Sequence, residues 1–293
     1  MLYDLALHIG SDYAHPVATG RHVLRIAPLA IPGRQGVERQ TITIEPNPES
    51  RRTYQGFFGS ETTGFAIRHA HQKLLVQLHA RVNVTTVAWK KAESIHMGDM
   101  PEALAGLASV DALSPHHFLR ESPRLPQAGA LLRDYARENL QPDRTIFEIA
   151  EDLMRRIHRD FKYDTKATTV DTPADTAFRL RRGVCQDFTH VMIQALRSLG
   201  IPAGYVSGYL RTLPPAGKPK LVGADAMHAW AMAWCGPQAG WIEFDPTNRM
   251  LASDDHIVAG YGRDYADIAP LAGTVKGHGN QSGFQRVDIN TVG

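Results

Sequence analysis

The sequence predicts an α+β protein in which an N-terminal antiparallel β-sandwich precedes a unit of helices followed by an antiparallel sheet. Three observations predict this. From residue 3 to about residue 89, short stretches of alternating apolar and polar residues are punctuated by Gly and Pro, the signature of half-buried antiparallel strands. From Thr145 onward the apolar period becomes helical, and strand-like runs reappear only after Pro202. The length, 293 residues with 43% hydrophobic and 21% charged side chains, suits two ordinary domains.

In order, residues 3–9, 23–26, 41–44, 64–67 and 74–84 are the strand candidates of the first unit, taken as residues 1–90. Residues 91–143 lose the alternation and carry Pro101, Pro115, Pro123 and Pro126, so a connecting region with short helices is expected, one of them over 127–138. The second unit is then expected over 144–293. Thr145 and Glu148 form an S/T-x-x-E capping box, and Ile146, Ile149, Ala150, Leu153, Met154, Ile157 and Phe161 fall on one helical face. Thr172 and Pro173 predict the N-cap and first residue of a short helix that Gly183 stops. A further helix begins at about Gln186, with Phe188, Val191, Met192, Ala195, Leu196 and Leu199 as its apolar stripe and Gly200 and Pro202 ending it. Strands are expected at 203–210, 226–234 and 241–244, with a Pro- and Gly-rich loop at 213–223.

Charge excludes some functions. With 32 basic and 30 acidic side chains and no long basic run, the chain does not read as a nucleic-acid binder. Its first residues, MLYDLALHIGSDYAHP, lack the basic start of a secretory signal, and no run of about 18 apolar residues occurs, so a cytoplasmic protein without a membrane span is expected. Two cysteines, Cys185 and Cys235, are expected as free thiols. Neither H-E-x-x-H nor C-x-x-C appears, so no metal or cofactor is expected.

Cys185 stands at a predicted helix start. A thiol attacks carbonyls as thiolate, and both the positive end of a helix and a neighbouring imidazole favour that form. Unpaired N–H groups of the same helix start, including that of Cys185, can stabilise a tetrahedral oxyanion. His228 lies on one predicted strand and Asp245 at the end of the next, so adjacent antiparallel strands would give a Cys-His-Asp triad in which the carboxylate orients the imidazole. Asp187 and His190 are expected to be structural, Trp230, Trp234 and Trp241 to pack on the sheet, and Cys235 to be a bystander.

The residues around the triad carry a family resemblance. Gly183-Val184-Cys185-Gln186-Asp187-Phe188, Leu199-Gly200-Ile201-Pro202-Ala203 running into Val206-Ser207-Gly208-Tyr209, His228-Ala229-Trp230, and Asp245-Pro246-Thr247-Asn248 resemble the transglutaminase-like superfamily. The resemblance implies a papain-like α+β catalytic fold with Cys185 as nucleophile, His228 as base and Asp245 as its orienting acid. His15-Pro16-Val17 and Phe57-Phe58-Gly59 look like the bacterial transglutaminase-associated N-terminal domain, and residues 262–270 look like the tail of the same bacterial subfamily. Where that domain usually reads Asp-x-Phe-Gly-Asn, this chain has Gly56-Phe57-Phe58-Gly59-Ser60.

These residues predict a cysteine peptidase or amidase whose partner is a peptide or protein amide; peptide, isopeptide and Gln side-chain amides stay open. A protein-glutamine transglutaminase and an inactive binding protein on the same fold are the alternatives. Cross-linking members of the superfamily flank the site with Trp, whereas none lies here between Trp89 and Trp230, so water or a small amine is the expected acceptor.

Overall fold

The computed structural model describes residues 1–138, 140–212 and 225–292; the loop expected at 213–223 lies outside them. The chain opens with six strands, β1 (Leu2–Val17), β2 (Thr19–Leu24), β3 (Gln35–Glu45), β4 (Ser50–Gln55), β5 (Glu61–Ile67) and β6 (His71–Val84). In β1 the odd residues Tyr3, Leu5 and Leu7 point inward and face Val82, Ala80 and Leu78 of β6. That period of two fixes the register, because a one-residue slip would turn every buried side chain to solvent.

The helices come next. They are α1 (Met100–Ala105), α2 (Ala130–Arg137) and α3 (Ile146–Asp160), followed by α4 (Ala174–Leu180), which lies between the two-residue parallel strands β7 (Lys162–Tyr163) and β8 (Arg182–Gly183), and then α5 (Cys185–Ser198). The capping box of α3 forms as the sequence predicts: Glu148 N–H donates to Thr145 Oγ1 at 3.3 Å, and Thr145 N–H donates to the Glu148 carboxylate at 2.9 Å. The expected boundaries of α4 are corrected. Pro173 is its N-cap, while the Thr172 hydroxyl accepts from Thr169 N–H at 2.9 Å instead. Arg181, not Gly183, ends the helix in the left-handed region at φ 52°. Its guanidinium lies over the rings of Phe178, Tyr135 and Phe161 at 4.0, 4.7 and 5.1 Å, contacts that offset a conformation unusual for a residue with a Cβ.

A five-stranded antiparallel sheet follows, from β9 (Ala203–Leu210), β10 (Ala226–Trp234), β11 (Trp241–Asp245), β12 (Met250–Leu251) and β13 (His256–Gly262), in the order β12-β11-β10-β9-β13. One face packs Tyr205, Ala229, Ala231 and Ala233 against α3 and α5; the other packs Val206, Trp230, Met232 and Val258 with Phe118 and Tyr261. Tyr209, Ile257 and Ala259 belong to the sandwich core itself. The tail motif forms the end of β13 and the short α6 (Tyr265–Ile268), capped by Asp264, whose carboxylate accepts from Ala266 N–H at 2.8 Å and Arg124 N–H at 2.7 Å.

The last two strands, β14 (Leu271–Lys276) and β15 (Gln281–Thr291), return to the beginning of the chain. They pair with β2 and β1, giving sandwich sheets ordered β14-β2-β5-β4 and β15-β1-β6-β3. Residues 271–291, which the sequence reading places in the 144–293 range, pair here with β1 and β2, so both ends of the chain contribute strands to the sandwich. Polar contacts join the halves as well as apolar ones. Gln35 donates to the carbonyls of Leu29 and Val258 at 2.7 Å each and accepts from Val258 N–H at 2.8 Å.

Candidate active site

Cys185 is the first residue of α5 and half-buried, with Val184 at the N-cap. Asp187 folds back to accept the N–H of Val184 at 2.8 Å and the hydroxyl of Thr168 at 2.7 Å. Burial raises its pKa, and these two donors oppose the rise. Gly183 makes room for this carboxylate: its φ is 156°, and a Cβ there would stand 2.4 Å from Asp187 Oδ2. Gln186 Nε2 donates to Val170 carbonyl oxygen at 2.9 Å, so the two residues that follow the thiol are both tied to segment 168–170. His190, one turn on, accepts from Tyr265 N–H at 3.2 Å, and burial pushes its pKa down to about 4. Both residues hold structure, as the sequence predicts.

Strands β10 and β11 bring His228 and Asp245 to the same place. Ala231 pairs with Phe244, which sets Asp245 beside the first half of β10, and His228 Nε2 lies 2.8 Å from Asp245 Oδ2. The other ring nitrogen, Nδ1, is not engaged by Asp245, and the Cys185 sulfur lies close enough to the imidazole to favour its charged form. Burial alone would lower the His228 pKa, but the Asp245 carboxylate and the Cys185 sulfur push it up to about 10. Asp245 is fully buried; desolvation would raise its pKa, yet the His228 and His256 imidazoles hold it well below the usual carboxylate range. Of the three side chains singled out in the sequence, His228 and Asp245 are in hydrogen-bonding contact, and Cys185 at the start of α5 acts on the same imidazole.

Two further residues complete the cluster. Asn248 Nδ2 donates to Asp245 Oδ2 at 2.7 Å, and the N–H groups of Thr247 and Asn248 donate to Oδ1 at 2.9 and 3.1 Å. Asp-Pro-Thr-Asn thus wraps the chain around its own carboxylate, a function that a turn acid before Pro already hints at. His256 Nε2 approaches the same Oδ2 at 3.3 Å. It gave no signal in the sequence, because all seven residues of β13 are buried and no alternation marks the strand. His228, Asp245 and His256 offer donor atoms within 4.8 Å of one another, a spacing a metal ion could occupy. Here both imidazoles turn toward Oδ2 while backbone N–H groups occupy Oδ1, so the arrangement is a hydrogen-bonded carboxylate.

The sandwich reaches this cluster through a second buried acid. Glu243 forms a two-pronged ion pair with Arg34 from the β2–β3 connection, and accepts from Trp230 Nε1 at 2.6 Å and the Tyr261 hydroxyl at 3.2 Å. Burial would raise the Glu243 pKa, but Arg34 keeps it lowered, so it remains a carboxylate. Trp230, held by it, stacks beside His228 with ring centroids 5.9 Å apart. The remaining indoles are occupied elsewhere: Trp89 and Trp241 donate to the carbonyls of Ala252 and Leu113, and Trp234 lies in the core beneath the helices. Cys235 is buried, and desolvation pushes its thiol up to about 12.

The fold and this constellation define a class: a β-sandwich joined to an α+β unit that sets a helix-start cysteine beside a His-Asp pair. Residues 133–246 match the transglutaminase-like superfamily, and residues 3–83 match the bacterial transglutaminase-like N-terminal region. The uncharacterized protein Mb2599c of Mycobacterium bovis is 35% identical over 91% of this chain and 82% of its own length. The uncharacterized protein ML0607 of Mycobacterium leprae is 30% identical over 92% of this chain and 91% of its own. A crystal structure of a proposed cysteine protease from Cytophaga hutchinsonii shares the fold with a TM-score of 0.77 at 20% identity, covering 99% of this chain and 90% of the other. The chain belongs to the transglutaminase-like superfamily.

Proposed function

We propose that this protein is a thiol-dependent hydrolase that cleaves an amide bond of a peptide or protein through a thioester on Cys185. The observation that carries this reading is an imidazole anchored on a saturated carboxylate, with the half-buried Cys185 at the start of α5 close enough to favour its charged form. In the first step the sulfur attacks the amide carbonyl carbon as the imidazolium–thiolate pair. The oxyanion that forms is met by N–H groups of the first turn of α5, which have no partner inside the helix. His228 gives its proton to the leaving nitrogen as the C–N bond breaks and the thioester remains. Water, losing a proton to His228, then attacks the thioester carbonyl and releases the acid and the thiol. Asp245 holds the imidazole in the tautomer and orientation that both steps need.

The placement of the indoles supports water as acceptor. Amine transfer requires a walled passage that excludes water and orients the amine. Of the four tryptophans, three point their N–H into carbonyls or Glu243, and the fourth is buried. Incubation with a Gln-containing peptide and a dansylated amine tests the choice. Hydrolysis without label is expected; efficient incorporation without matching hydrolysis would make the protein a transglutaminase.

A further inference from the structure

The triad carboxylate serves two imidazoles, and only one has a part in the chemistry proposed so far. His256 is fully buried, and its Nε2 lies 3.3 Å from Asp245 Oδ2, the oxygen that His228 Nε2 meets at 2.8 Å. Its other nitrogen settles its tautomer: the N–H of Ser253 donates to His256 Nδ1 at 3.1 Å, so Nδ1 carries a lone pair and the proton sits on Nε2. His256 is thus a donor aimed at the carboxylate.

The fold arranges this across an intervening strand. His228 of β10 stands opposite Gly208 of β9, and Gly208 stands opposite Val258 of β13. A Cβ on Gly208 would come 2.7 Å from the Trp230 ring and 2.1 Å from the Ile257 carbonyl oxygen. With no side chain there, the two imidazoles approach to 6.1 Å between centroids, and the Trp230 ring meets His256 edge-on at 5.0 Å.

We infer that His256 is a positioning residue that tunes the Cys185–His228 pair: by donating to Asp245 Oδ2 it disperses carboxylate charge that would otherwise hold the His228 proton. This rests on the thiol chemistry proposed above. The groups that face the pair are few. Cys185 from α5, Asp245 from β11 and Asn248 face His228; Tyr163 from β7 and Tyr205 from β9 face Cys185; His228, His256 and Asn248 face Asp245; behind Trp230 lies Glu243, compensated by Arg34 and bonded to Tyr261. A hydrogen bond to a carboxylate stabilises its charged form, so a carboxylate relieved of one donor pulls harder on the remaining N–H. Loss of the His256 donor should therefore keep His228 protonated to higher pH.

The test is the rate of Cys185 alkylation by iodoacetamide from pH 5 to 11, in the native protein, in His256→Leu and in His256→Gln, which keeps an N–H donor in reach. The upper inflection, which reports loss of the His228 proton, should move up by about half a pH unit or more in His256→Leu and return toward the native value in His256→Gln. An inflection that stays in place or moves down overturns the inference, whatever happens to the melting temperature. If Cys185 alkylates no faster than Cys235 in the native protein, the thiol reading itself fails. Independently of any variant, 15N NMR of the native histidines should place the His256 proton on Nε2; a proton on Nδ1 would overturn the inference.

Discussion

At the scale of single residues, the site is decided by which charges are buried together. His228 keeps its proton because Asp245 outweighs the desolvation of the ring, giving a folded pKa of about 10 against about 6.5 for an unfolded histidine. A raised pKa contributes stability in full below the unfolded value, and that stability drains away as pH climbs toward the folded one. Between about pH 6.5 and 10, thermal melts of the native protein should therefore lose more stability than melts of His228→Ala. Parallel curves would contradict the assignment of the charge to His228. Cys185, His228 and Asp245 stood out in the sequence because the short motifs around them resemble the superfamily's, and a helix start, a strand and a turn acid gave each a fitting local context. Asn248 stood inside one of those motifs without a role, and His256 stood in none.

At the scale of elements, the predictable pieces are those with a sharp boundary or a clean period. Helix α3 has its capping box, and β9 and β10 run over the expected residues 203–210 and 226–234. Strand β4 escapes because all six of its residues are exposed, and β13 escapes because all of its residues are buried; neither alternates. The turn into α5 follows from one carboxylate. Gly183→Ala should destabilise the protein by about 1–3 kcal/mol, since the new methyl group meets Asp187 at a φ that disfavours a Cβ. It should also slow Cys185 alkylation, because Asp187 must leave Val184 N–H. A variant with native melting temperature and native alkylation rate would show that the turn does not depend on this contact.

At the scale of the whole molecule, the chain closes on itself. Residues 271–291 complete the sandwich begun at residue 2, a pairing between the two ends that no local pattern announces. Sandwich and central sheet share one core through Tyr209, Ile257 and Ala259, and one ion pair through Arg34 and Glu243. Arg34→Met should cost about 3–5 kcal/mol in chemical denaturation, because it strands a buried carboxylate, and Glu243→Gln in the same chain should recover part of that loss. If Arg34→Met alone left stability unchanged, the sandwich would not be energetically coupled to the site through this pair.

The central claim is that Cys185 is a thiol activated by its helix and by His228, and relative alkylation of the two cysteines tests it most directly. With the folded protein at pH 7 and limiting iodoacetamide, peptide mass spectrometry should find Cys185 modified at least tenfold faster than Cys235, whose thiol burial pushes up to about 12, and His228→Ala should remove most of that advantage. Equal labelling of Cys185 and Cys235, or a rate at Cys185 indifferent to His228→Ala, would contradict the account.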